Sequence, residues 1–366
     1  MVATILPSPS GQPDLVALHV PDGFLEPPVA AATAVLAVTV LALTLRAART
    51  ELGDRQVPLA GLAAAFVFAA QMVNFPVAAG TSGHLLGGTL AAVLLGPWVG
   101  CLVVTVVVVV QALLFADGGL TALGINLINL AVVTSFGGWA CFVLLRRVLP
   151  TNAGGVVGAT GVAAGLSVVL SAMAFSIQWL FGASAPVPFD TVFGAMVGVH
   201  LLIGVGEGII SALIVASVLG ARPDLVTGAA DLPTDRLITR PTVGRRPLAI
   251  GALVACVVLA AVVSQFASER PDGLERVARD EGFVTSAAEH GLADALFADY
   301  ATQGLDNETA SLAVAGTAGV VLTLAVGLGL LGALRSLPRA AATPPPASAT
   351  ETASGPSPSS DRAEPR

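Results

Sequence analysis

The stretch WVGCLVVTVVVVVQALLFA, residues 98–116, contains no charged residue. A transmembrane helix needs about 20 mainly apolar residues to cross a hydrocarbon core of roughly 30 Å. This stretch therefore predicts a membrane-spanning helix, and it decides the class of the fold.

Similar apolar segments fill most of the 366-residue chain. Hydrophobic residues make up 55% of it and charged residues only 11%, whereas a soluble domain carries about 25% charged residues. The sequence predicts an all-α polytopic membrane helix bundle of about seven spans, followed by a two-span C-terminal unit. A short third segment predicts a half-length helix packed against its neighbours. With Trp98–Ala116, the predicted spans are Pro28–Leu45, Pro58–Phe75, His84–Leu95, Leu120–Leu145, Gly155–Phe181, Thr191–Leu219, Leu248–Phe266 and Ser311–Leu334.

Arginine positions predict the orientation in the lipid bilayer. All 17 basic residues are arginine, and most lie in four connections, residues 46–55, 146–147, 222–246 and 335–339. Nine spans with an outer N-terminus place all four connections in the cytoplasm, as the positive-inside rule requires. We therefore expect a multi-pass protein of the cell membrane with an extracytoplasmic N-terminus and a cytoplasmic C-terminus.

Composition predicts the domain boundaries. A seven-span domain over residues 18–220 is followed by a linker rich in Pro, Asp and Arg, residues 221–247, and a two-span domain, 248–335. That domain contains an acidic extracytoplasmic loop, 267–310. Residues 340–366 are rich in Pro, Ser and Ala and predict a disordered cytoplasmic tail.

Enzymatic activity is not predicted. The chain has no HExxH or GxSxG motif. It also has no lysine, so it lacks a Walker A motif, and any ATP hydrolysis requires separate partner subunits. The three cysteines lie in apolar runs without CxxC spacing, which is typical of buried hydrophobic residues. No nucleic-acid partner or bound cofactor is expected.

Two histidines fall on the outer face of the predicted bundle. His19 precedes the first span, and His84 lies in the glycine-rich stretch GTSGHLLGG. A lone loop histidine is more often a solvated or hydrogen-bonded side chain, but a pair on one face suggests a metal site, because neutral imidazole is a good ligand for nickel, cobalt, copper or zinc. Two imidazoles alone leave such a site short of donors.

Several other polar residues are candidates for a supporting role. Thr81 and Ser82 are placed to bond the nearby backbone or to orient a ring nitrogen of His84. The amides of Gln111, Asn126 and Asn129 form either an outer shell around the histidines or ordinary interhelical hydrogen bonds.

Two further patterns concern the helices and the first loop. His200 and Glu207 share one face of the seventh span and predict a buried polar pair or a subunit contact. Asp22 is expected to stabilise its own Pro-Asp-Gly turn. Ala30 and Ala34 form a weak candidate packing face for a partner subunit.

Five motifs resemble those of one family, the CbiM/NikM-type substrate-binding membrane component of energy-coupling factor transporters for nickel and cobalt. The resemblance covers about residues 18–219. The motifs are HVPDGFLEPP (19–28), FVFAAQMVNFPVAAGTSGHLLGG (66–88), LGPW (95–98), QALLFADGGLTALGINLINL (111–130) and HLLIGVGEGII (200–210).

The resemblance implies an all-nitrogen metal site. In the family the chain begins Met-His, and the ligands are the terminal amine, the amide nitrogen and ring of the second residue, and the histidine of the TSGH motif. These correspond here to Leu18, His19 and His84, although His19 is not the second residue of this sequence. We expect residues 1–17 to be a non-native or mis-annotated extension, with translation starting at Leu18; removal of the extension after Ala17 is the alternative.

The string RPDGLERVARDEG, residues 270–282, resembles the PDGLE domain of the small CbiN/NikN-like accessory subunit. The two resemblances imply uptake of Ni²⁺ or Co²⁺, with a transmembrane coupling subunit and two cytosolic ATPases as partners. A proton-coupled metal permease and a membrane metal sensor without ATPases remain alternatives. The sequence leaves nickel and cobalt undistinguished.

Overall fold

Ten helices carry the architecture in the computed structural model, which describes residues 19–53, 56–232 and 243–337. Among these residues, seven helices are long and apolar enough to cross a membrane: α1, α4, α5, α6, α7, α8 with the turn that extends it to Phe266, and α10. The predicted all-helical polytopic bundle is confirmed. The helices are α1 Pro27–Glu51, α2 Gln56–Gln71, α3 Gly88–Leu95, α4 Pro97–Leu114, α5 Leu123–Arg146, α6 Ala153–Gly182, α7 Phe189–Ala221, α8 Arg245–Ala261, α9 Gly273–Asp280 and α10 Glu308–Ser336.

Helix α4 contains most of the apolar stretch 98–116. It begins at Pro97, a residue suited to the first helical turn. Its valine-rich interior stays helical because a helix satisfies every backbone polar group within the segment, as a lipid environment requires. Gly96, at φ 89°, interrupts the helical backbone between α3 and α4.

The half-length third segment is shorter than predicted. Its helix, α3, starts at Gly88 rather than at His84, and the preceding strand β2, Ser82–Gly83, pairs antiparallel with β1, Phe75–Pro76. Helix α2 likewise ends at Gln71, four residues before the predicted end. His84 therefore lies in a non-helical segment, which is tolerated inside a membrane protein where surrounding protein satisfies the backbone.

The middle of α5 is π-helical, from Leu127 to Gly137. Such i→i+5 geometry is rare and is frequently found at functional sites. It begins directly after Asn126 and includes Asn129, two residues that the sequence singled out.

The small face of α1 packs inside the chain. A Cβ added at Gly124 of α5 would lie 2.4 Å from the Cα of Ala34, and Ala30 is buried. The expectation that Ala30 and Ala34 form a face for a partner subunit is therefore wrong, because α5 already covers that face.

The acidic loop between α8 and α10 is a packed cap. Phe283 is fully buried, and its ring lies 5.2 Å from Phe24 and 4.5 Å from Trp179, centroid to centroid. Helix α9 lies against α7 within this cap, where Gly273 approaches Ile203. Apolar burial therefore joins the loop to the helices that precede α8.

These contacts lie within one compact unit that ends at Arg335. The predicted extension 1–17, Leu18 and the predicted tail 340–366 lie outside the described residues. Of the predicted linker, residues 221–232 and 243–247 are described; in the first part, Thr227 Oγ1 donates to the carbonyl of Leu94 at 3.0 Å.

Candidate metal centre

The loop that carries His19 is fixed by its neighbour Val20. The amide of Val20 donates to Asn126 Oδ1 at 3.0 Å, and Asn126 Nδ2 donates back to the Val20 carbonyl at 3.0 Å. Gly118, at φ +84°, sits so close that an added Cβ would lie 2.9 Å from both Asn126 Nδ2 and His19 Cβ. Asn126 thus lies where an outer-shell residue is expected.

Asp22 anchors the same loop to α5. Its carboxylate accepts hydrogen bonds from the amides of Thr121 at 2.7 Å and Leu120 at 3.1 Å. A negative charge at a helix N-terminus is stabilised by the helix dipole and the exposed amides. Asp22 is therefore structural, but its described side-chain bonds go to the residues that lead into α5 rather than to its own turn, and that part of the expectation is wrong.

His84 lies just before an anchored stretch of the extended segment. Gln71 Nε2 donates to the carbonyl of Leu86 at 3.1 Å. Glu207 accepts from the amides of Leu86 at 2.7 Å and Gly87 at 3.0 Å. These bonds satisfy backbone groups at the start of α3 and hold the segment that carries His84.

The imidazoles of His19 and His84 lie together. Their ring centroids are 5.6 Å apart, edge to face, and the residues are only 2% and 6% exposed. His84 Nδ1 donates to the carbonyl of Leu85 at 3.1 Å, which leaves the lone pair on Nε2. Neither ring nitrogen of His19 makes a hydrogen bond with the described residues, although Nδ1 lies 3.4 Å from Asp117 Oδ1.

The two rings line a cavity of about 60 Å³. A pocket for an organic ligand measures roughly 300–1,000 Å³, so this one suits an ion with a few waters. Asn126 and Asn129 also line it. Asn129 exchanges two hydrogen bonds with Gln178, at 2.9 and 2.8 Å, and is positioned by that pair.

His200 lines the cavity too, and it is not paired with Glu207. Its Nδ1 donates to the Met196 carbonyl at 2.7 Å, while Glu207 binds the amides of Leu86 and Gly87. The predicted pairing is wrong because His200 bonds the backbone of its own helix, whereas Glu207 bonds the backbone at the start of α3.

The C-terminal domain closes the cavity with residues that the sequence analysis did not single out. Asp272 and Gly273, from the PDGLE string, line it, and a Cβ at Gly273 would lie 2.9 Å from His200 Cε1. Asp272 caps α9 by accepting from the Glu275 amide at 2.7 Å. Burial raises the pKa of this carboxyl to about 8.

Ser82 joins the two domains rather than orienting His84. Its amide donates to the Pro271 carbonyl at 2.9 Å and its hydroxyl to the Arg270 carbonyl at 2.7 Å. Thr81 is buried, and its amide and carbonyl close the turn that precedes β2. Neither side chain has a bond to a ring nitrogen of His84 among its described contacts.

Gln111 belongs to a network that reaches His19 through two residues missed in the sequence. Gln111 Nε2 donates to the hydroxyl of Tyr300 at 3.1 Å, and that hydroxyl donates to Asp117 Oδ2 at 2.7 Å. Asp117 follows an apolar span on the face that holds both histidines, a signal that was present in the sequence. Tyr300 is 183 residues away and gave no such signal.

The described residues contain no cluster of three or more His, Cys, Asp or Glu side chains placed to hold a metal ion. The imidazoles of His19 and His84 lie together, and that of His200 lines the same cavity. Nitrogen ligands favour nickel, cobalt or copper over Mg²⁺ or Ca²⁺.

Comparison with known proteins agrees with the two-part architecture. Residues 19–225 match the family model of the cobalt uptake substrate-specific transmembrane region, CbiM, and residues 245–336 match the PDGLE domain. The chain is 33% identical to a putative fused nickel transport protein NikMN of Archaeoglobus fulgidus, over 86% of this chain and 98% of the relative. It is also 33% identical to the fused nickel transport protein NikMN of Rhodobacter capsulatus, over 88% of this chain and 100% of the relative.

A relative without the C-terminal part is also similar. A putative metal transport protein of Haloquadratum walsbyi is 41% identical over 57% of this chain and 93% of its own length. The crystal structure of a truncated transition metal transporter matches 55% of this chain and 98% of its own, with 30% identity and a TM-score of 0.49. The chain is a multi-span membrane protein that belongs to the CbiM family of nickel and cobalt transport proteins and carries a fused PDGLE domain.

Proposed function

We propose that this protein is the substrate-capture component of an energy-coupling factor transporter for Ni²⁺ or Co²⁺. The ion binds from the outer side between His19 and His84. The observation that carries the proposal is the pair of buried rings around a small cavity, with both His19 nitrogens lacking a hydrogen bond. A buried polar atom without a partner is costly unless something binds it.

The ligand set is completed by backbone nitrogens of residues 18 and 19. A terminal amine at residue 18, the His19 amide nitrogen and the His19 ring close adjoining chelate rings, and His84 supplies the fourth nitrogen. Four nitrogens in a tetragonal arrangement suit Ni²⁺ and also accept Co²⁺. The chelate uses His19 Nδ1, which faces Asp117 Oδ1 in the structure, so capture includes a half-turn of this ring.

In this proposal a coupling subunit and two cytosolic ATPases supply the energy, and the lack of any lysine for a Walker A site supports ATP hydrolysis by separate chains. The outer position of the site follows from the arginine-rich connections on the opposite side. We do not propose the proton-coupled permease, since Glu207 accepts two backbone hydrogen bonds and His200 bonds its own helix.

Uptake of radioactive nickel into proteoliposomes tests this proposal. Vesicles that contain the protein, its coupling subunit and the ATPases are expected to accumulate nickel only when ATP is present on the side that carries the ATPases. The same vesicles without the ATPases are expected to accumulate none. A His84→Ala variant should abolish uptake, while His290→Ala, in the cap loop and outside the cavity, should not. Nickel uptake that follows an imposed proton gradient without ATPases would contradict the proposal.

A further inference from the structure

Two strained segments meet beside the candidate metal centre. Among the described residues, positive φ angles at residues other than glycine occur at Ala116 (54°), Asp299 (51°) and Tyr300 (57°). The amide of Asp299 donates to the carbonyl of Phe115 at 2.9 Å, so all three lie at one contact between the α4–α5 connection and the cap loop. Such backbone conformations are strained in residues other than glycine, and they cluster at functional sites.

The strained backbone holds the phenol of Tyr300 against Phe115 and Asp117. The ring stacks on Phe115 with centroids 5.1 Å apart, and its hydroxyl donates to Asp117 Oδ2 at 2.7 Å. Burial, together with the charge of Asp117, raises the pKa of Tyr300 well above its ordinary value of 10. The phenol therefore keeps its proton and remains a donor to Asp117.

Asp117 has a second oxygen, which faces the metal centre. Oδ1 lies 3.4 Å from His19 Nδ1, and Asp117 is 3% exposed. A carboxylate that accepts the N–H of one ring nitrogen orients a histidine and leaves the other nitrogen for a metal ion. The half-turn that brings Nδ1 to the ion turns the Nε2–H edge of the His19 ring toward Asp117, so the carboxylate serves as the acceptor in the nickel-bound form. With Oδ2 held by the phenol, the carboxylate is not free to turn away from the ring.

We infer that Tyr300 is a positioning residue of the metal centre: by fixing Asp117 it orients His19, so the PDGLE domain completes the outer shell of a site whose ligands lie in the CbiM domain. The inference rests on the proposed function and adds a residue to it. The fused PDGLE domain then has a chemical role at the site, because its hydroxyl holds a carboxylate that lies 183 residues earlier in the chain.

Nickel titration of the full chain in lipid nanodiscs tests the inference with a double-mutant cycle. Tyr300→Phe removes the hydroxyl and keeps the ring on Phe115, and Asp117→Asn removes the carboxylate. Each variant is expected to weaken nickel binding about 10- to 100-fold, the range for outer-shell partners of metal ligands. Because the two act in series, the double variant should bind no more weakly than Asp117→Asn.

Phe297→Leu is the matched control. Phe297 stacks on Phe115 at 5.7 Å in the same aromatic cluster, and no polar atom of its side chain can reach Asp117. We expect this variant to lower the melting temperature without changing nickel affinity, which separates loss of packing from loss of positioning.

Tyr300 is the chain's single tyrosine, so it also supplies a spectroscopic readout. Tyrosine-labelled infrared difference spectra should show a shift of its C–O band when nickel binds, and Asp117→Asn should remove the shift. Wild-type nickel affinity in Tyr300→Phe, or a silent C–O band, would overturn the inference while leaving nickel capture intact. A wild-type protein that binds no nickel would overturn both, and this outcome is recognised before any variant is made.

Discussion

Glu207 in α7 accepts the amide of Leu86 at 2.7 Å, across 121 residues of sequence. A second bond reaches Gly87 at 3.0 Å, so a fully buried carboxylate caps the start of the half-length helix α3. The first amides of a helix have no partner within the helix, and the Glu207 side chain supplies acceptors for two of the amides at this end. This relationship fixes the segment that carries His84.

Removal of the Glu207 carboxylate is therefore expected to loosen His84. Glu207→Ala leaves two buried amides without an acceptor, at about 1–3 kcal/mol for each, and should lower both the melting temperature and the nickel affinity. Glu207→Gln keeps one acceptor oxygen and should show about half the thermal effect. Asp190→Asn, on the exposed first turn of the same helix, is the control; equal nickel affinity in Glu207→Ala and wild type would contradict this role.

Asp22 is expected to matter for binding more than its turn position suggests. Asp22→Ala removes the anion at the start of α5, an interaction worth up to about 2 kcal/mol where partly buried, and frees the loop that carries His19. Nickel titration should show weaker binding, with Asp22→Asn closer to wild type because it keeps one acceptor oxygen. The exposed loop residue Asp294 supplies the control, Asp294→Asn. A normal affinity in Asp22→Ala would show that the loop is held without it.

Asp272 makes the stability of the cap depend on pH. Burial raises the pKa of this carboxyl from 3.8 to about 8, and the nearby charges of Glu275 and Asp117 act in the same direction. Between about pH 4 and pH 8 the folded protein holds a proton that the unfolded chain releases, so stability falls as pH rises, by up to about 1.4 kcal/mol per unit. The loss ends above pH 8, where both states are ionised.

The measurement compares melting temperatures of wild type and Asp272→Asn at pH 5.5, 6.5 and 7.5 in the presence of a chelator. The asparagine does not titrate, so the wild-type protein should lose stability relative to the variant with each step. Parallel curves for the two proteins would contradict an ionisation of Asp272 in this range.

Most of the fold was predictable because a membrane span can be recognised from its local sequence. A run such as 98–116 is recognised as a span from about 20 consecutive uncharged residues, without knowledge of what the helix contacts. The errors arose where protein replaces lipid around the backbone. The start of α3 at Gly88 depends on Glu207, and Gly124 of α5 packs against the face of Ala30 and Ala34. Neither contact can be inferred from the local sequence.

The proximity of the two candidate ligands was predictable, and the contacts that support them were less so. His19 and His84 could be brought together by orientation alone, because both fall on the outer face. Tyr300 could not, since its contact with Asp117 depends on the fold of a cap loop and on positive φ angles at residues that are not glycine. Asp272 was within a recognised motif, but its place in the cavity follows from the packing of α9 on α7.

The proposed backbone donors make nickel affinity depend on the first residue of the chain. A protein that starts with methionine in place of Leu18 offers a terminal amine next to His19, whereas one that starts at Met1 offers an ordinary peptide nitrogen there. We expect the shorter form to bind nickel far more tightly. Intact mass with titration checks both forms, and equal affinity in a protein that retains Met1 would remove the terminal amine from the ligand set.

The central claim is that His19 and His84 together hold the transported ion. Equilibrium nickel titration of wild type, His19→Ala and His84→Ala, with His290→Ala as the control, tests it most directly. We predict that the loss of either ring weakens nickel binding by more than the roughly 100-fold that an outer-shell residue costs. Wild-type affinity should fall in acid, because the ligands must be deprotonated. His290→Ala should bind nickel normally. Unchanged nickel affinity in the His19→Ala and His84→Ala proteins would contradict the account.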